Sequence, residues 1–350
     1  ETLSLQMIYT TSEIKTERFK KLYRFFYSCY NTGGDFMTNT FPYSDSNKRY
    51  HALDYYYRHK YGCKVFKVSL NAGFTCPNRD GTVGVGGCIY CSSSGSGEFG
   101  GNPKEDLVTQ FETIKNQMLK KWPDNMKYIG YFQAGTNTYA DVPVLRKKYE
   151  SILNLEHVVG LHIATRPDAI SDECLDLLSE INQKTDLTIE LGLQTIHEKT
   201  AILINRCHSL DTFARMVEKL RKRKIAVVVH IINGLPYETP EMMIETAQYL
   251  AKLDIQGVKI HMLSILKNTR LAKIYEEHPF PLLSLEEYVQ VTVRQLEYLP
   301  PEMVIHRITG DPKKEDLVAP NWLLKKFCVI NEIDKKMAKE NIYQGDLYKK

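Results

Sequence analysis

The sequence predicts an α/β fold, a partial (βα)6 parallel barrel followed by a C-terminal extension. Six short segments, 65–70, 128–133, 158–164, 187–193, 226–232 and 257–263, are almost continuously apolar and several are rich in Val and Ile. Strands buried on both faces read this way. Amphipathic helical segments at 104–121, 142–153, 172–181, 210–223 and 240–252 lie between them, and repeated strand–helix units imply right-handed crossovers and a parallel sheet.

Local signals support the helices. Thr239 before Pro240 supplies a capping oxygen and a first-turn proline. Ser284-Leu285-Glu286-Glu287 reads as a capping box opening a later helix. The barrel core is expected over 37–300, with 301–350 closing it. Met37 opens a segment that reads as a natural start, so residues 1–36 are expected to be a poorly ordered upstream extension.

Composition is ordinary and globular, with 43% hydrophobic and 25% charged residues, enough for a sizeable core. The formal charge of +4 permits an anionic partner such as RNA without requiring one. No run reaches the ~18 apolar residues of a membrane span, and residues 1–36 lack a signal-peptide pattern. A cytoplasmic location and no membrane partner are expected.

Chemistry in parallel barrels sits beyond the C-terminal strand ends. Cys76, Cys88 and Cys91 follow the first strand in a loop spanning 71–101; eleven residues separate the first two and two the last pair. That grouping suits thiolate ligation of a soft metal or iron–sulfur cluster. Three ligands leave a cluster iron open, whereas structural zinc closes with four, so a zinc site recruiting Cys63 or a histidine is the alternative. Cys29, Cys174, Cys207 and Cys328 read as small buried hydrophobes. Residues 95–100 match GxGxxG but follow no strand, so dinucleotide binding is not expected.

The cysteine trio resembles the cluster loop of radical S-adenosylmethionine (SAM) enzymes. Its widened first gap is similar to the Elp3-like branch and to the YhcC/YtqA-type group. Later motifs share the resemblance: Gln133-Ala134-Gly135-Thr136, Thr165-Arg166-Pro167-Asp168, Glu190 through Gln194, Asn233-Gly234-Leu235-Pro236 and the sixth-strand segment ending near Lys267. The resemblance implies a barrel of the radical SAM type, a [4Fe–4S] cluster on Cys76, Cys88 and Cys91, and SAM as second cofactor. It assigns cofactor binding to Gln133, Gly135, Thr136, Arg166, Glu190, Gln194, Asn233 and Gly234. An apolar barrel interior is expected to exclude water and oxygen.

Substrate contacts are expected at Tyr55, Arg58, His208 and Lys267. Residues 49–61 interleave bases with aromatics, as a segment stacking on unpaired nucleotides would. Arg221-Lys222-Arg223-Lys224 adds positive charge. With the Elp3-like resemblance, these favour tRNA, with a wobble-uridine side chain as the specific expectation. An electron donor such as flavodoxin or ferredoxin is the expected partner. A small or porphyrin-like substrate and a non-catalytic zinc-binding RNA module are the alternatives.

Overall fold

The computed structural model describes residues 39–95, 100–122 and 126–349. The extension expected over 1–36 lies outside them, as do the inner residues of the GxGxxG segment. Helix α1 (Leu53–Tyr61) leads into β1 (Val65–Leu70), then α2 (Leu107–Leu119), β2 (Lys127–Phe132), α3 (Val142–Leu153) and β3 (Val158–Thr165). α4 (Asp172–Asn182), β4 (Asp186–Gln194), α5 (Glu198–Leu203), α6 (Leu210–Lys222), β5 (Ala226–Asn233), α7 (Pro240–Leu250) and β6 (Gly257–Met262) continue the alternation. The last part holds β7 (Ile265–Leu266), α8 (Arg270–Glu277), α9 (Leu285–Tyr298), β8 (Val304–Arg307), β9 (Leu317–Ala319) and α10 (Lys326–Lys339).

Seven strands form one curled sheet in the order β1-β2-β3-β4-β5-β6-β8, with every neighbouring pair parallel. The partial barrel therefore stands, and the segment expected to close it adds a seventh strand. β8 is only four residues long, too short for periodicity to register.

Among the described residues β1 and β8 are the sheet's edges, and α1 packs against both. Ala52 bridges Ile305 in parallel, and the Ile305 amide donates to the His51 carbonyl at 2.8 Å. Part of the segment read as a nucleic-acid surface is therefore taken up by the fold. Arg49, Tyr50, His51 and Tyr57 are buried, and the segment instead caps the gap between the edge strands.

Capping follows the local signals. The Thr239 hydroxyl accepts from the Met242 amide, and the Ser284–Glu287 capping box is complete. The main hydrophobic core lies between sheet and helices, where Val68, Leu70, Phe132, Leu161, Ile163, Ile189 and Leu191 are fully or almost fully buried. Side chains alternate across a strand, so this core takes one set of residues and leaves another for the barrel interior. That second set is polar, and the expected apolar interior is corrected below.

Candidate active site

The loop after β1 is folded by its own backbone. The Arg79 amide donates to the Cys76 carbonyl at 2.8 Å, and the Cys91 amide to the Cys88 carbonyl at 3.1 Å, giving two tight turns. The Gly135 amide donates to the Gly95 carbonyl and the Thr136 amide to the Thr75 carbonyl, each at 3.0 Å, tying the turn after β2 to this loop. Gly135 has φ 76°, and a Cβ there would stand 2.3 Å from the Phe74 carbonyl oxygen. Backbone packing against the loop thus already requires glycine at this position.

Cys76, Cys88 and Cys91 form no disulfide and open on one cavity of about 820 Å³. The Arg79 guanidinium donates to the Cys91 sulfur at 3.1 Å and also holds the Ser92 and Ser93 carbonyls. The Asn78 amide nitrogen lies 3.7 Å from the Cys88 sulfur and donates to the Asn205 carbonyl at 2.6 Å. Burial, then neighbouring Cys91, push the Cys88 thiol up to about 11, while Arg166 acts in the opposite direction. A thiol so placed becomes a thiolate when positive charge arrives, as metal ligation provides.

Gln133, Gly135, Thr136, Arg166, Glu190, Gln194 and His208 line the same cavity. Arg166 is fixed by a two-point contact with Asp168 at 2.9 and 2.7 Å and by donation to the Arg206 carbonyl at 2.9 Å. Gln194 ends β4 with φ 65°, a backbone state costing a non-glycine residue about 1 kcal/mol or more. Burial, with Arg206 and Arg166 nearby, lowers His208 to about 4.

Other expected site residues stand elsewhere. Asn233 is buried and exchanges hydrogen bonds with Gln295, and Gly234 faces Leu283 and Leu263; neither lines the cavity. Tyr55 donates to the Pro42 carbonyl, and Arg58 pairs with Asp45 and Asp54 on α1. Lys267 donates to the Glu315 carbonyl, outside the cavity lining. Three of the four residues in the 221–224 run are paired on the surface, Arg221 with Asp254, Lys222 with Glu218 and Arg223 with Asp176. Cys174 is buried as expected, whereas Cys207 and Cys328 are exposed because their loop and helix face solvent.

Beneath the cysteine loop the barrel interior is charged. Glu190 accepts from Lys67 and from His162 Nδ1 (2.6 Å) on one oxygen, and from His230 Nε2 (2.8 Å) and Lys259 on the other. Tyr57 meets His162 Nε2 at 2.9 Å, and Lys259 donates to the Tyr131 oxygen at 3.1 Å. Both Glu190 oxygens are therefore committed within the barrel, so this residue holds the lysines rather than presenting a free carboxylate to a cofactor. Burial lowers Lys259 to about 7, with the Glu190 carboxylate opposing that fall.

Sequence reading singled out only Glu190 of this layer, as a cofactor residue, and missed two arginines. Arg79 holds the loop, and fully buried Arg206 donates to the Leu193, Thr195 and His208 carbonyls. The signal for the layer was available: single polar residues interrupt apolar strands at Lys67, His162, Glu190, His230 and Lys259.

The residues fit an iron–sulfur cluster better than zinc. Among the described residues, the His/Cys/Asp/Glu trio whose ligand atoms all come within 4.8 Å of one another is His162, Glu190 and His306, not the cysteines. Zn–S bonds near ~2.3 Å would draw three sulfurs within about 4 Å of each other, and the three cysteine sulfurs do not all approach one another that closely. Hydrogen bonds to sulfur from Arg79 and Asn78 are the contacts that tune such a centre.

Fold and cavity together define an α/β-barrel enzyme whose chemistry sits at the C-terminal strand ends. The Radical SAM superfamily matches residues 75–250 and the Radical_SAM C-terminal domain 255–339. The chain belongs to the radical SAM superfamily. It is 53% identical to Bacillus subtilis "Uncharacterized protein YtqA" over 90% of this chain and 97% of the relative, and 35% identical to Escherichia coli YhcC over 81% and 90%. A Thermotoga petrophila tRNA-2-methylthio-N(6)-dimethylallyladenosine synthase is 23% identical over 54% of this chain and 43% of its own. The solved Methanocaldococcus infernus Elp3 shares the fold at TM-score 0.61 and 19% identity, over 80% of this chain and 64% of that one. No described helix is long and apolar enough to cross a membrane.

Proposed function

We propose that this enzyme binds a [4Fe–4S] cluster through Cys76, Cys88 and Cys91, with SAM as cofactor, and modifies tRNA, acting on a wobble-uridine side chain. The observation carrying the cofactor reading is the opening of all three cysteines and the 133–136 turn on one cavity. When bound, these cofactors supply a 5′-deoxyadenosyl radical that takes hydrogen from the substrate.

The chain's own residues do the rest. Arg79 and Asn78 hold the loop and its sulfurs in place. Gly135 lets the second strand's turn close against that loop. Gln133, Thr136 and Gln194 offer polar groups at the cavity wall for the amino-acid and ribose ends of SAM, and locked Arg166 offers fixed positive charge. A flavodoxin or ferredoxin is the electron donor.

The tRNA reading is supported by the Elp3-like fold and by the tRNA-modifying relative's name. The basic–aromatic segment supports it less, because Tyr50, His51 and Tyr57 are buried and Arg58 is paired with Asp45 and Asp54.

Anaerobic reconstitution with a chemical reductant tests the cofactors: iron and sulfide bind, and SAM is reductively cleaved to methionine and 5′-deoxyadenosine. Cleavage retained by Cys88→Ala would falsify this assignment. Nucleoside mass spectrometry of tRNA from a deletion strain tests the substrate, and an unchanged nucleoside profile rules tRNA out.

A further inference from the structure

The layer below the cysteine loop sets two lysines against one carboxylate. Lys67 and Lys259 both bond Glu190. His162 and His230 complete that carboxylate's shell, so no further acceptor capacity remains there. Arg307 adds charge from β8, its nearest carboxylate being Asp311 at 3.6 Å, which Lys326 approaches more closely, at 2.6 Å.

Two imidazole nitrogens, on rings that line the same cavity, have no partner among the described residues. His261 Nε2 and His306 Nδ1 are buried without a hydrogen bond, and both rings line the cavity. A buried polar atom left unsatisfied is destabilising, so a ligand that meets it is favoured. The site therefore offers two buried lysine amines, a guanidinium and two unused ring nitrogens that can donate.

We propose that this layer seats a small anionic group of the substrate, a carboxylate or phosphate oxyanion, against Lys67, Lys259, Arg307, His261 and His306. The inference rests on the cavity being the reaction site and adds the chemical class of the substrate's inner end. Each lysine shares a carboxylate already crowded by four donors, and an incoming anion gives them a second counter-charge. Glu190 sets the affinity by competing for the same lysines.

A divalent cation is the rival occupant, because His162, Glu190 and His306 converge within 4.8 Å. Two lysines already bonded to that carboxylate occupy its oxygens and, when protonated, repel a cation, so the anion is favoured.

Equilibrium dialysis of the cluster-bearing full chain without SAM, against labelled phosphate and labelled acetate, tests this. One anion per chain should bind saturably, and preference for acetate or phosphate tells which source the site accepts. Lys259→Met should weaken binding by about tenfold or more, as loss of a hydrogen bond to charge implies. Lys259→Arg should retain it, and Glu190→Gln should tighten it by a similar factor. Circular dichroism identifies any variant that has lost its fold.

Absence of saturable binding in both wild-type and Glu190→Gln protein overturns the proposal. So does binding that neither folded variant changes, or stoichiometric zinc uptake that His306→Ala abolishes. SAM cleavage, read on the same preparation, separates the two ideas: anion binding without cleavage defeats the radical-enzyme reading, and cleavage without anion binding defeats this one.

Discussion

Asn233 and Gln295 exchange their side-chain amides, at 2.8 Å in one direction and 2.9 Å in the other. The pair fastens the end of β5 to α9, and Gln295 also donates to the Met243 carbonyl of α7 at 2.8 Å. Asn233→Leu should therefore cost about 1–3 kcal/mol, because Gln295 is left buried with unmet groups. Urea denaturation measures it. SAM cleavage by the folded variant should persist, since Asn233 does not line the cavity.

Gly135→Ala should damage the cysteine loop rather than the sheet. The new Cβ would meet the Phe74 carbonyl at 2.3 Å, with φ already at 76°. Strain of about 1–3 kcal/mol is expected, relieved by moving the loop away. Iron content after reconstitution should fall, with far-UV circular dichroism unchanged.

Arg79→Ala removes a donor to the Cys91 sulfur and the ties to Ser92 and Ser93. Iron and sulfide retention should drop during gel filtration. Arg79→Lys should recover only part of it, because an ammonium lacks the guanidinium's planar fork.

Stability should decline as pH falls from about 6.5 toward 4. Burial, with Lys67 and Lys259 nearby, lowers His162 to about 3 and His230 to about 4, against the ordinary 6.5. Both rings are neutral in the fold and take up protons on unfolding, so acid favours the unfolded chain. Glu190 works against the shift of both rings, and Tyr57, Tyr131, His261 and His306 complete their surroundings. Thermal melts across this range should fall toward acid, and the slope should flatten in His230→Gln.

Much of the fold was legible locally. The strands β1 to β6 were long enough, and apolar enough, for their pattern to show, and the Ser284 box and Thr239 cap are fixed by neighbours a few residues apart. β8 escaped because its four residues become a strand only beside β6. α1 misled because bases and aromatics look alike whether they face RNA or fill the gap between edge strands.

The site divides the same way. Covalent spacing alone brought Cys76, Cys88 and Cys91 into one loop, and chain chemistry named them. Which distant residues share the cavity was decided by the closing of the sheet. Lys67, His162, Glu190, His230 and Lys259 come from five strands, and only curvature turns their inward-pointing side chains into one hydrogen-bonded layer. Strand alternation says that a polar residue leaves the helical face; the partner it meets inside depends on register between strands, which local sequence does not encode.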